Sequence, residues 1–202
     1  EFLFTTKEQA RKALGVTEPL VVSAFGSQGA KVMNETVADM MVLEQADGFP
    51  FRHIHATGSF GKEWMPKRVK DNGVDYENCP AIDIREYIYD MPTVLTAADV
   101  VIGRAGSATC NEIAASGTPC ILVPSPNVTN NHQEKNARVL ESGGGAVVLL
   151  EKDCTAEKLY GLIRQLLADE TRRAQMSRKL HAQLRPDSTD RICAIVEEII
   201  GR

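Results

Sequence analysis

Six short apolar runs, each leading through a turn into a helix-like stretch, set the limits on what this chain can fold into. They are PLVVSAF (19–25), FRHIHATG (51–58), AIDIREYI (81–88), VVIG (100–103), CILVP (120–124) and AVVLL (146–150). Strands alternating with helices make βαβ units, whose right-handed crossovers place successive strands parallel in one sheet. Uniformly apolar strands fit a sheet covered on both faces. The reading is therefore α/β: a Rossmann-like, six-stranded parallel sheet with flanking helices over residues 19–202, preceded by a linker and short polar helix at 1–18. After Leu150 the pattern is helical only. Leu159, Leu162, Ile163, Leu166 and Leu167 form one stripe, and Ile192, Ile195, Val196 and Ile199 another. Both predict amphipathic helices that cover the sheet or a neighbouring domain absent from this chain.

Composition excludes several classes of function. A formal net charge of −4 with no basic stripe argues against a nucleic-acid partner. Binding of an anion would then rest on local geometry. Cys79, Cys110, Cys120, Cys154 and Cys193 include no C-x-x-C pair and point to a reducing, cytoplasmic compartment. No run has the length of a membrane span and the start shows no signal-peptide pattern. His53, His55, His132 and His181 lack zinc spacing. A D-x-D pair for a metal-bridged diphosphate and a G-x-S-x-G elbow are both missing. No internal repeat is evident.

In an open parallel sheet, ligands sit beyond the carboxyl ends of the strands, so chemistry is sought in the strand-to-helix loops. The first such loop is AFGSQGAKVMNE (24–35). Gly26 and Gly29 permit close backbone approach, Ser27 offers a hydroxyl, and the helix start adds free N–H groups and a positive dipole end. Phosphate binding and a plain turn both fit; neither G-x-G-x-x-G nor a P-loop is present. In VVIGRAGSATCNEIAASGTPCILVP (100–124), Gly106 permits a tight turn, and Thr109 and Glu112 have the T-x-x-E spacing of a capping box. A carboxylate at such a loop also accepts hydrogen bonds from the vicinal hydroxyls of a ribose. Residue types alone leave both readings open. Asn130, Asn131, His132, Gln133 and Asn136 crowd another helix start. They fit recognition of a polyhydroxylated ligand or a polar capped helix. Gly143–Gly145 reads as a helix end before a strand. Tyr87, Ile88 and Met91 precede Pro92 at an expected first helical position; they form a wall for a planar base or simply core. MPKRVK (65–70) reads as a solvated basic cluster.

Taken in order, GSQGAKVMNE, YIYDM, ADVVIGRAGSATCNEIAASGTPCILVPSP and NNHQEKNA resemble the C-terminal half of the MurG-type N-acetylglucosaminyltransferases of peptidoglycan synthesis. The resemblance spans essentially the whole chain. It implies one half of a two-domain GT-B arrangement that transfers N-acetylglucosamine from UDP-N-acetylglucosamine to a lipid-linked muramyl-pentapeptide. It also implies residue roles: Ser27 with the Gly26 and Gly29 backbone on the diphosphate, Ile88 flanked by Tyr87 and Met91 beside uracil, and Glu112 on the ribose. Arg104 and the Gly106–Thr109 turn would line the nucleotide-sugar pocket, with Ala108 and Thr109 near sugar and diphosphate. His132, Gln133 and Asn136 would bond the sugar. No metal or cofactor is implied. The general base, the lipid-linked acceptor and the membrane contact belong to an N-terminal domain, so no catalytic residue is expected in this chain and the chain alone is expected to be inactive. The full-length protein would sit at the cytoplasmic face of the inner membrane. Two residues depart from the family pattern: Phe25 stands where a second glycine is usual, and some members carry Gln where His132 stands. Other UDP-sugar transferases or epimerases, and a binding subunit that works beside a membrane partner, share the same loop chemistry. A nicotinamide enzyme lacks its glycine fingerprint.

Overall fold

The computed structural model describes residues 5–184 and 187–201. Six parallel strands, β1 (Leu20–Ala24), β2 (Arg52–Ala56), β3 (Ile82–Arg85), β4 (Val100–Gly103), β5 (Cys120–Leu122) and β6 (Ala146–Val148), form one sheet in the order β3-β2-β1-β4-β5-β6. Each apolar run of the sequence supplies one strand. All strands but β4 stop short of their runs at the carboxyl end, where the backbone leaves the ladder to build loops.

Helices α1 (Lys7–Leu14), α2 (Lys31–Ala46), α3 (Trp64–Asp71), α4 (Met91–Ala97), α5 (Ser107–Ser116), α6 (His132–Ser142), α7 (Ala156–Ala168) and α8 (Glu170–Gln183) flank it, and α9 (Ser188–Ile200) follows. Side chains alternate across each strand, so two cores form. Val21, Phe25, Val100, Ile102 and Ile121 meet α2, α3 and α7 through Met33, Val37, Met65, Val69, Leu159 and Ile163. Leu20, Val22, Ile54, Val101 and Leu122 meet α1, α4, α5 and α6 through Ala10, Val94, Leu95, Ile113 and Ala137. The short first helix carries a Thr6–Gln9 capping box and ends at Gly15 with φ 60°. Lys7 and Arg11 then join it to Asp99 at 2.7 and 3.1 Å.

The helical layers correct the sequence reading at one place and sharpen it at two. The MPKRVK segment is not merely a solvated cluster: it lies in α3, buries Met65 and Val69, and turns Arg68 to Asp39 at 3.0 Å. α8 shows no clear apolar stripe in sequence, yet Met176 reaches one core and Leu180 the other. The Leu159–Leu166 stripe does cover the sheet as α7, but α9 covers nothing among the described residues. Its Ile192, Ile195, Val196, Ile199 and Ile200 are all exposed.

Within the first core lies a chain of buried polar groups. Ser23 Oγ is 2.7 Å from both His53 Nε2 and His55 Nδ1, and His53 Nδ1 is 2.9 Å from Glu44 Oε1. One hydroxyl proton cannot serve two rings, so at least one imidazole donates to Ser23. The network ties α2 to β1 and β2. Burial first, and then the charge of His53, hold the His55 ring well below its ordinary 6.5. The folded state therefore keeps His55 neutral while the unfolded chain takes up a proton. Stability present at neutral pH is expected to fall as pH drops below 6.5. Urea titrations across that range should show a shallower decline for His55→Gln than for the wild type.

Candidate functional site

Strand order reverses between β1 and β4, and a crevice opens there beyond their carboxyl ends. It holds a cavity of about 280 Å³ lined by the ends of both strands, the start of α5 and the wall before α4. Eight residues singled out from sequence line it: Gly26, Ser27, Tyr87, Ile88, Met91, Ala108, Thr109 and Glu112. Loops distant in sequence thus converge because the sheet aligns their strand ends.

Two helices begin at this edge without a side-chain cap. Ala30 precedes α2 and Gly106 precedes α5, and neither offers a side-chain acceptor to the first turn. Free N–H groups and the positive end of each dipole remain at these starts. Neither first turn carries an acidic side chain. A pair of uncapped helix starts beside a switch point suits an anionic ligand.

The capping-box reading of Glu112 fails. α5 starts at Ser107, so Thr109 is already its third residue and Glu112 lies in the second turn. A capping box would need Thr109 outside the helix with extended backbone. Glu112 instead lines the cavity, half-buried, and burial raises its carboxyl above the ordinary 4.5.

Gly26 and Gly29 adopt φ of 92° and 78°, the left-handed region that favours glycine. Phe25 does not crowd this loop. Its ring points into the first core, with 4% exposure, and tilts against His55 at 6.1 Å. On the opposite wall Ile88 is 1% exposed while Tyr87 keeps 43% of its surface and packs edge-on to Tyr89. Pro92 is the second residue of α4, one later than expected.

The remaining candidates lie outside the cavity lining. Gly29 faces Thr57, whose carbonyl oxygen stands 2.0 Å from where a Cβ would be. Gly106 is the N-cap of α5. Arg104 crosses the sheet edge, donating to Val123 O at 3.0 Å and pairing with Glu151. Asn136 Nδ2 donates to Ala105 O at 3.0 Å, and Gln133 Oε1 accepts from Ser125 N at 2.9 Å. His132 opens α6 with Nδ1 3.1 Å from Thr129 O. Asn130 and Asn131 both take left-handed backbone, at φ 55° and 51°.

Sequence reasoning passed over Thr57, Gly58 and Asn34. Asn34 Nδ2 donates to Thr57 O at 2.7 Å, and Gly58 packs against Gly29. A signal existed: G-S-x-G occurs at 26–29 and again at 58–61, two residues beyond the paired ends Ala24 and Ala56.

Comparison with known proteins bears on this geometry. Residues 20–192 match the family model described as the glycosyltransferase family 28 C-terminal domain. An Acetivibrio thermocellus UDP-N-acetylglucosamine–N-acetylmuramyl-(pentapeptide) pyrophosphoryl-undecaprenol N-acetylglucosamine transferase is 40% identical over 99% of this chain and 53% of its own length. The enzyme of the same name from Caldanaerobacter subterraneus is 39% identical over 98% of this chain and 54% of its own. The chain thus spans about half the length of the curated relatives it matches. The crystal structure of Acinetobacter baumannii MurG superposes with a TM-score of 0.79 at 24% identity, over 98% of this chain and 55% of that one. At that identity the likeness establishes the fold, one half of the GT-B arrangement.

The position of Glu112 has a measurable consequence. A carboxyl whose folded pKa is raised costs stability when ionised, and that cost vanishes as pH falls below 4.5. Glu112→Gln should therefore melt no lower than wild type near pH ~7, with the difference closing on acidification. A loss of about 1 kcal/mol at neutral pH would restore a capping role.

Proposed function

We propose, from the premise that this chain belongs to the glycosyltransferase family 28 C-terminal domain family, that it is the donor-binding half of an N-acetylglucosaminyltransferase of peptidoglycan synthesis. The donor is UDP-N-acetylglucosamine and the acceptor a lipid-linked muramyl-pentapeptide. The observation that carries this reading is the half-buried carboxylate of Glu112 facing a switch-point cavity between two uncapped helix starts.

The chemistry follows from that arrangement. Vicinal ribose hydroxyls donate to the Glu112 carboxylate. The uracil ring lies against Ile88, Tyr87 and Met91. The N-termini of α2 and α5, with Ser27, donate to the diphosphate. As the glycosidic bond breaks, negative charge grows on the departing UDP, and these fixed donors stabilise it without reorganising. Around the sugar, Gln133 keeps its NH₂ group and Asn136 its carbonyl oxygen for hydroxyls, because each uses only its other atom to hold a loop. His132 completes that rim. Arg104 acts by bracing the ends of β4, β5 and β6 through Val123 and Glu151. The activating base, the acceptor site and attachment to the cytoplasmic face of the inner membrane belong to the other half of such an enzyme. None of the described helices is long and apolar enough to cross a membrane.

Titration calorimetry tests the reading. The chain should bind UDP-N-acetylglucosamine, and Glu112→Gln should weaken it by about tenfold, as expected when a charge-assisted pair of hydrogen bonds is lost. Affinity should also fall on acidification through the raised Glu112 pKa, because only the carboxylate accepts both hydroxyls. Unchanged affinity in Glu112→Gln, or turnover on a lipid-linked acceptor by the chain alone, would overturn it.

A further inference from the structure

The loop after β2, residues 57–61, packs beside the loop after β1 along a seam made almost wholly of backbone. Ser59 N donates to Ser27 O at 3.0 Å and Phe60 N to Gln28 O at 3.1 Å. Gly58 has φ 71°, and a Cβ there would stand 2.1 Å from Gly29 N. A Cβ on Gly29 would stand 2.0 Å from Thr57 O, and one on Gly61 2.3 Å from Asn34 Nδ2. Only glycine fits each of these places, because the opposing atoms in the first two cases are main chain and cannot swing aside.

The seam has a directional effect. In a planar trans peptide the carbonyl and the following N–H point opposite ways. The Ser27 carbonyl accepts from Ser59 N on the β2 side, so the Gln28 N–H points away from that neighbouring loop. Across β1 from β2, on the β4 side, Gly103, Ala108 and Thr109 line the switch-point cavity with Gly26 and Ser27. Asn34, one turn into α2, holds the same seam from the helix side through its 2.7 Å bond to Thr57 O. The loop after β2 is in turn anchored to β3, since Thr57 N and Gly58 N donate to Arg85 O and Glu86 O at 2.9 and 3.0 Å.

We infer that Gly58 and Asn34 are positioning residues for the donor's diphosphate: through the glycine seam they aim the 26–29 loop and the start of α2 into the cavity, without touching the ligand. This rests on the nucleotide-sugar reading above and extends it to residues on the neighbouring loop. Because the seam orients phosphate donors and not the base or ribose contacts, its loss should separate the two halves of the nucleotide.

The test compares UDP with uridine by calorimetry and ligand-observed NMR on the wild type, Gly58→Ala and Asn34→Ala. Gly73→Ala is the control: Gly73 also has φ 84°, sits after α3, and has open space around it, so it imposes backbone strain away from the seam. In Gly58→Ala and Asn34→Ala, UDP affinity should drop by about tenfold or more while uridine stays within about twofold. Gly73→Ala, although lower-melting, should match the wild type for both ligands. Asn34→Ala removes one hydrogen bond and keeps the test open should Gly58→Ala not fold. Equal loss of UDP and uridine, no loss in the seam variants, or the same loss in the control would overturn the positioning role alone. A wild-type chain that binds neither ligand would overturn the nucleotide reading on which it rests.

Discussion

Everything in this molecule is referred to β1, which is hydrogen-bonded to β2 on one side and to β4 on the other. Because it is fully paired, its side chains must find partners above and below the sheet, and its carboxyl end must leave between two neighbours. Val21, Ser23 and Phe25 face one helical layer, Leu20 and Val22 the other. The chain order then reverses across this strand, and the helices after β1 and β4 depart to opposite faces. A gap at that point follows from topology before any side chain is chosen. The side chains decide only what the gap receives.

Polar groups buried beneath that strand follow the same logic. Ser23, His53, His55 and Glu44 are fully or almost fully buried and linked in series. Such a network is costly unless its members satisfy one another, and here Glu44 Oε2 and His55 Nε2 still lack partners. What it supplies is fixity. Side chains with directional bonds hold α2 in one rotational setting on the sheet, which apolar packing by Met33, Val37, Met40 and Met41 alone specifies less tightly. The start of the same helix directly follows the loop whose Gly26 and Ser27 line the cavity.

Sequence pattern made the sheet legible because both sheet faces are covered, so the central strands are apolar runs flanked by turn residues, while β2 and β3 keep the same flanks around His53, His55, Asp83 and Arg85. It also pointed to eight of the residues lining the cavity, since the carboxyl ends of parallel strands are where small and polar residues stand out. Three things were hidden. Glu112 had the spacing of a cap, and only the actual start of α5 at Ser107 distinguishes a cap from a second-turn carboxylate. Gln133, Asn136 and Arg104 were read for what they offer a ligand, whereas each also holds a loop or a sheet edge in place. Side-chain-to-backbone bonds across 8, 31 and 19 residues leave no periodic trace in a sequence. The α8 helix was obscured for a related reason: two buried residues one turn apart serve different cores, which dilutes any stripe.

That last arrangement bears on how the domain comes apart. Met176 and Leu180 enter opposite helical layers from a single turn of α8, and the His181 ring lies against Gly117 at the end of α5. Undocking that turn withdraws a buried side chain from both layers at once. The two sides of the sheet are therefore coupled through α8 like leaves sharing a pin, an arrangement that favours melting of the three layers as one cooperative unit.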